Sequence, residues 1–457
     1  MKQKKYLLPE SEIPTAWYNI QADMVNKPLP PLNPGTGQPL KAEDMYPIFC
    51  EECARQELNQ TDRFIPIPEP VLEKYVYYRS TPLVRAYGLE KALDTPAHIF
   101  FKNESVSPVG SHKLNSALAQ AYYAKEEGTT NITTETGAGQ WGAALSYAAK
   151  AFGLEAAVYM VKISYEQKPY RRSIMQTFGA NVTASPSMST RAGKDIITAS
   201  PNHQGSLGTA ISEAIELARM TPDCKYVLGS VLNHVCIHQS IIGLEAEKQM
   251  EMADEYPDIV IGCFGGGSNF CGIAMPFLRH NILDGKKTRF IAAEPASCPK
   301  LTKGVYLYDF GDEAGYTPLL PMYTLGHSFR PANIHAGGLR YHGAGAIVSQ
   351  LMKDKLMEAV DIEQLDSFKA GLLFARSEGI IPAPESCHAI AATIEEALKC
   401  KESGEQKTIL FNLSGHGLVD MTAYDQYLAG DLTNFEVDEA TVAKNLAESK
   451  LDPSKAL

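Results

Sequence analysis

The chain has 457 residues, 44% of them hydrophobic and 21% charged, with a formal net charge of −11. That length holds two or three domains, the composition is that of a soluble globular protein, and the acidic balance argues against a general affinity for nucleic acid. No uninterrupted apolar run reaches membrane-spanning length, and the basic start Met1-Lys2-Gln3-Lys4-Lys5 leads into Pro9, Glu10 and Glu12 rather than a secretory apolar stretch.

Residues 1 to about 78 carry Pro28, Pro30, Pro31 and Pro34, which break any long helix. Trp17, Tyr18, Met24 and Leu29 give this stretch apolar anchors, so it reads as an extended arm wrapped on a globular body. From about residue 97 short apolar runs alternate with helical periodicity. His98 to Lys102 predicts a strand, and Ser111 to Glu127 a helix stopped by Gly128. Ile132 to Glu135 predicts a strand, followed by a glycine-rich turn and a helix through Tyr147. Further strands are expected at Ala156 to Val161, Lys225 to Leu228, Asp258 to Phe264, Arg289 to Glu294 and Thr408 to Leu413. This alternation predicts parallel α/β sheets with right-handed crossovers, whose ligands bind at the carboxyl ends of strands. Nine cysteines are scattered without framework spacing and read as reduced cytosolic thiols. Cys50 and Cys53 have no second pair to complete a zinc site, and His234 and His238 have no third ligand, so no metal is expected.

Four segments carry chemistry. Gly110-Ser111-His112-Lys113-Leu114-Asn115 opens a helix and leaves Lys113 in its first turn. The helix macrodipole disfavours an ammonium there, so the lysine is more easily a free amine, the form that condenses with a carbonyl. A solvated lysine at the start of an ordinary helix is the plainer reading. Glu135-Thr136-Gly137-Ala138-Gly139-Gln140-Trp141-Gly142 lies between strand and helix. Its small residues let backbone N–H groups approach a carboxylate or phosphate, with Glu135 placed to exchange protons. A tight turn with Glu135 capping the helix explains the same residues. Gly265-Gly266-Gly267-Ser268-Asn269 makes a concave row of donors suited to phosphate, without the spacing of a nucleotide P-loop or a dinucleotide site. Leu413-Ser414-Gly415-His416-Gly417 ends the last strand, where the Ser414 hydroxyl can bond a ring nitrogen. Together the four fit a pyridoxal 5'-phosphate (PLP) site.

On these motifs the chain resembles the tryptophan synthase β-chain family, PLP enzymes of fold type II, from about residue 75 to 430. The wording is closest to the family's second, divergent class, which reads Trp141 where the common class has histidine. The resemblance implies two open parallel-sheet α/β domains with the PLP site between them. Residues 1–78 with 112–237 would form the first, including a mobile substrate subdomain, and 79–111 with 238–457 the second. It implies that Lys113 holds PLP as a Schiff base and that Glu135 is the catalytic carboxylate. His112, Asn115, Gly265, Gly266, Gly267, Ser268 and Asn269 are cofactor-binding by the same likeness, with Glu385 beside the ring and Ser414 on the pyridine nitrogen. Thr136, Gly137, Ala138, Gly139, Gln140 and Trp141 would bind the substrate.

The implied activity joins indole to L-serine to give L-tryptophan in the cytoplasm, by a homodimer with or without an α subunit, with K+ or Na+ as the expected monovalent cation. Arg340 departs from the common class, which carries aspartate there. An arginine suits an anionic leaving group, which points to O-phosphoserine as donor. The plainer reading of Arg340 is a pair with a nearby carboxylate. His416 in place of the usual arginine is a second departure. Serine dehydratase, sulfhydrylase and a non-catalytic binding protein are the competing readings.

Overall fold

The computed structural model describes residues 3–457. Two sheets organise the chain. The larger has seven strands in the order Lys5–Tyr6, Leu83–Arg85, His98–Asn103, Thr408–Leu413, Ile259–Cys263, Arg289–Pro295 and Glu358–Ile362. Its first two pairings, Lys5–Tyr6 with Leu83–Arg85 and Leu83–Arg85 with His98–Asn103, are antiparallel, and the remaining four are parallel. The smaller sheet is wholly parallel, in the order Asn181–Ser185, Glu155–Val161, Asn131–Thr136 and Cys224–Tyr226. The central strands are buried on both faces, so they form from continuous β-branched and apolar runs such as Ile259-Val260-Ile261.

Each glycine-rich turn follows a parallel strand at its carboxyl end and feeds a helix. Gly265–Gly267 leads from Ile259–Cys263 into helix Ser268–Leu283. Gly139, at φ +98°, caps helix Gln140–Phe152, which runs five residues past the expected Tyr147 before Gly153 ends it in the left-handed region. Lys113 differs slightly from expectation. It stands at the cap of helix Leu114–Glu126 rather than inside its first turn, because Ser111 is drawn into a bridge with Gly415.

The arm is less extended than its prolines suggest. Short helices Ala42–Met45, Glu51–Glu57 and Glu69–Tyr75 interrupt it, and its first strand pairs with Leu83–Arg85 on the larger sheet. Trp17, Tyr18 and Met24 are buried, but Leu29, between Pro28 and Pro30, is 38% exposed and anchors nothing. All nine cysteines are buried as free thiols. His234 and His238 are buried on helix Asn233–Gln239 and occupied by Glu57, Ser116 and Gln56. Among the described residues no helix is long and apolar enough to cross a membrane.

A buried ionic joint lies next to helix Leu114–Glu126. Arg79 pairs with Glu245 at 2.6 Å and with Glu104 at 3.1 Å, and Lys102 reaches Glu245 at 2.7 Å. All four side chains are fully buried. Removing one partner from such a set strands the others without compensation. Glu245→Gln is therefore expected to destabilise the fold by about 3–5 kcal/mol, read as a lower urea midpoint.

Candidate active site

The four segments converge on one cleft of about 430 Å³, lined by His112, Lys113, Gln140, Gly265–Asn269, Glu385 and Ser414. Lys113 Nζ donates to the Gly229 carbonyl at 3.1 Å. Burial pulls its pKa below the usual lysine value, which raises the fraction present as nucleophilic amine.

The Gly265–Gly267 turn is closed in a way only glycine permits at two positions. A Cβ on Gly265 would fall 2.5 Å from the Gly338 carbonyl oxygen, and one on Gly266 2.5 Å from the Val231 side chain. The backbone amides that follow open helix Ser268–Leu283, whose dipole favours an anion. Asn269 helps to shape this turn: its amide donates to the Cys263 carbonyl at 3.0 Å and accepts from Asn412 at 2.7 Å. His112 lies with Nε2 3.4 Å from the Ser268 hydroxyl, and burial pushes its pKa down to about 3, so it is neutral.

In the same cleft, Ser414 Oγ is 2.7 Å from Ser386 Oγ and 3.5 Å from Cys263 Sγ. Burial pushes the Cys263 thiol up to about 12, so the groups beside the Ser414 hydroxyl are a neutral thiol and a neutral hydroxyl. Glu385 accepts from Gln140 Nε2 at 2.7 Å and from the Gly338 amide at 2.9 Å, which ties the nest to helix Pro384–Ser403.

The cleft continues into a second chamber of about 330 Å³, with Lys113, Glu135, Thr136, Gly137, Ala138 and Trp141 in its wall. Glu135 accepts from the Tyr226 hydroxyl at 2.5 Å. Burial raises its carboxyl to about 8, although the Tyr226 bond and the nearby Lys113 charge oppose the rise. Trp141 fixes the nest through Nε1, which donates to Thr134 Oγ1 at 2.6 Å. Tyr226 also walls an apolar cavity of about 380 Å³ with Met45, Phe49, Leu228, Val231 and Leu232.

Three expected residues stand elsewhere: Gly139, which packs on the Arg171 stem and lines neither chamber, Asn115 and Arg340. Asn115 takes no place in the cleft wall, because the ionic joint consumes its side chain. It accepts from Arg79 at 2.8 Å and Tyr78 at 2.9 Å, and donates to Glu104 and Gln239. Its side chain therefore holds the helix behind Lys113. Arg340 lines a separate small pocket with Gly137, Ser206 and Gly337, adjoining the nest. It meets Asn333 at 3.2 Å and Ser164 at 3.0 Å, and no carboxylate pairs with it among the described residues. Burial lowers its pKa to about 10, which leaves it charged at neutral pH.

Tyr226, Ser386, Cys263 and Ser230 do not stand out in the sequence, yet all four border the site. Tyr226 and Cys263 end strands that the apolar pattern locates, and the position at a strand's carboxyl end is the available signal.

The donor set suits PLP: an amine of lowered pKa, a glycine cradle at a helix start, and an uncharged hydroxyl in the same cleft. The family model described as "Pyridoxal-phosphate dependent enzyme" matches residues 76–415. The chain is 55% identical over 432 residues to "Tryptophan synthase beta chain 2" of Methanosarcina mazei, covering 94% of this chain and 98% of the relative. It is 57% identical over 418 residues to the protein of the same name from Thermotoga maritima, covering 92% and 98%. The chain belongs to the tryptophan synthase β-chain family of PLP-dependent enzymes. The fold is shared more widely. A fungal L-serine ammonia-lyase from Rhizomucor miehei superposes with a TM-score of 0.58 at 18% identity, covering 77% of this chain and 98% of that one. Maize serine racemase gives 0.54 at 16% identity, covering 80% of this chain and 98% of that one. Family membership makes the chain a PLP-dependent enzyme, and the β-chain relatives match over more than nine-tenths of its length.

Proposed function

We propose that this enzyme joins indole to an amino-acid donor bearing a β-leaving group, forming L-tryptophan. The observation that carries the reading is the position of Glu135, between the lysine-bearing cleft and the apolar cavity that Tyr226 shares. The apolar walls of that cavity match the chemistry of a flat apolar bicycle, and a carboxyl raised to about 8 can both give and take protons near neutral pH.

Lys113 would hold the cofactor covalently, Gly265–Asn269 with His112 its phosphate, and Ser414 its ring nitrogen. When bound, PLP supplies an electron sink for negative charge at the donor α-carbon. The neutral Ser414 partner leaves that sink moderate, which favours loss of a β-substituent over amino transfer. The Thr136–Gln140 nest would orient the donor carboxylate. Lys113 Nζ would be released when the donor's own amine takes its place, and the freed amine would then take the α-proton and later return it to the same carbon. Glu135 protonates the departing oxygen, then accepts the proton that indole releases when its carbon attacks the β-carbon. The Tyr226 hydroxyl keeps the Glu135 carboxyl aimed between the two substrates.

The test is tryptophan formation by PLP-loaded protein supplied with indole and either serine or O-phosphoserine. Tryptophan from either donor supports the reading, and pyruvate or a thioether without tryptophan moves it to a dehydratase or a sulfhydrylase. Arg340 favours O-phosphoserine, because its charged fork adjoins the nest and carries no carboxylate of its own among the described residues. Arg340→Ala is expected to raise KM for O-phosphoserine roughly 10- to 100-fold, the loss of one charge-assisted contact, with KM for serine little changed. Equal effects on both donors would remove Arg340 from the leaving-group side. The homodimer, the α-subunit contact and the monovalent cation rest on the family resemblance; sedimentation and titration with K+ or Na+ read them.

A further inference from the structure

After strand Glu155–Val161 the chain folds into helices Lys162–Gln167 and Pro169–Thr177. Lys168, between them, and Arg171 reach Asp420, which caps helix Met421–Ala429 beyond the Ser414 turn. Lys168 Nζ donates to Asp420 Oδ1 at 2.8 Å, and Arg171 Nη2 to Oδ2 at 2.9 Å. Lys168 also donates to the His335 carbonyl at 3.0 Å. All three side chains are buried, with Asp420 and Arg171 essentially sealed from solvent. Burial alone would raise the Asp420 carboxyl, but the two cations outweigh it and hold it at about 2. The group therefore carries two positive charges against one negative.

Arg171 is also underused as a donor. Its Nε and Nη1 are buried and meet no hydrogen-bond partner among the described residues. A buried charge left uncompensated, with N–H groups unfilled, is costly unless something completes it. The completing group has a place nearby. A Cβ on Gly139 would lie 2.6 Å from Arg171 Cβ and 3.0 Å from Cγ, so the arginine stem runs along the underside of the nest. Gly139 caps helix Gln140–Phe152, whose positive end faces the same loop. His416, close to Arg171, is pushed down by burial first and by the arginine charge second, so it adds no negative charge.

We infer that Arg171, with Lys168, is a positioning residue for the amino-acid donor: the donor's carboxylate, held in the Gly137–Gln140 nest, supplies the negative charge that the Lys168–Asp420–Arg171 group lacks. This rests on the reading of the nest as the donor-carboxylate site. The group would then do more than pin the segment after Val161. It sets the electrostatic preference of the nest for an anion from behind, without touching the reacting atoms.

A clasp and a charge reservoir predict opposite things for the acidic partner. The PLP-loaded enzyme and its variants are compared by donor KM and kcat. They are also compared by the change in visible absorbance on titration with L-alanine and with L-alaninamide, which lack a leaving group and differ in the carboxylate. Arg171→Met is expected to raise donor KM roughly 10- to 100-fold with kcat within about threefold. It should also erase most of the preference for alanine over its amide. Arg171→Lys restores most of both. Asp420→Asn, which removes the negative charge, leaves donor KM unchanged or lowers it. A simple clasp is broken equally from either side, so a comparable rise of KM in Asp420→Asn and Arg171→Met overturns the inference. Should Arg171→Met fail to fold, Lys168→Met removes the second cation, and the same comparison with Asp420→Asn decides. The alanine titration needs no indole. Carboxylate preference without tryptophan formation would overturn the synthase reading alone, while tryptophan formation with an unaltered preference in the variants would overturn this one alone.

Discussion

Lys113→Met is expected to fold, to take up PLP only reversibly, and to form no tryptophan. Methionine keeps the length and apolar stem of the lysine while deleting the amine whose lowered pKa marks it as the nucleophile. In the structure the Lys113 ammonium has one protein hydrogen bond, to the Gly229 carbonyl, so its loss disturbs little of the fold. The cradle at Gly265–Asn269 and the hydroxyls of Ser414 and Ser386 are untouched and still favour the cofactor. Dialysis followed by a visible spectrum distinguishes the two states: the wild type stays yellow and the variant does not. A variant that keeps its colour through dialysis and turns over indole would place the covalent link at another lysine.

Glu135→Gln is expected to lower kcat/KM with serine by roughly 10²- to 10⁴-fold, the usual yield of a positioned acid or base. The amide is nearly isosteric and its oxygen can still accept from the Tyr226 hydroxyl, so the loss reads proton transfer and not shape. The wild type carries the matching signature in pH. Burial raises Glu135 to about 8, so the carboxyl is protonated and able to donate at neutral pH. The serine rate should fall as pH rises through about 8, and the fall should be shallower with O-phosphoserine, whose leaving group needs no proton to depart. Stability moves in the same direction. The folded state holds a proton on Glu135 that the unfolded chain releases near the ordinary carboxylate value, so this group's contribution is fullest below that value and declines as pH climbs toward 8. Glu135→Gln removes that slope, and urea unfolding at several pH values measures it.

The parts of the fold legible in the sequence are those whose residues are buried on both sides. Ile259–Cys263, Arg289–Pro295 and Thr408–Leu413 read as apolar runs and lie within a residue or two of where the pattern puts them. Asn181–Ser185 and Glu358–Ile362 are hidden because they are edge strands with half-exposed, polar residues, set by hydrogen bonding to a neighbour and not by their own composition. Lys5–Tyr6 is too short to carry any period. At the site, glycine-rich turns announce themselves because close backbone approach admits few other residues. Asn115 shows the limit of proximity in sequence: two positions from Lys113, its side chain faces the other way, into the Arg79–Glu245 joint. The contacts between Arg171 and Asp420, or between Tyr226 and Glu135, join distant segments, and no local spacing encodes them.

Strand Thr408–Leu413 lies between His98–Asn103 and Ile259–Cys263 and pairs with both. The middle of the larger sheet is thus contributed by the last of its strands in chain order. During translation the smaller sheet, complete by residue 226, can form behind the ribosome, while the strands at 98 and 259 wait with open edges for a partner more than a hundred residues away. Those two strands are where a nascent chain would be most exposed to mispairing, and Ser414, one residue beyond the closing strand, is positioned only when that wait ends.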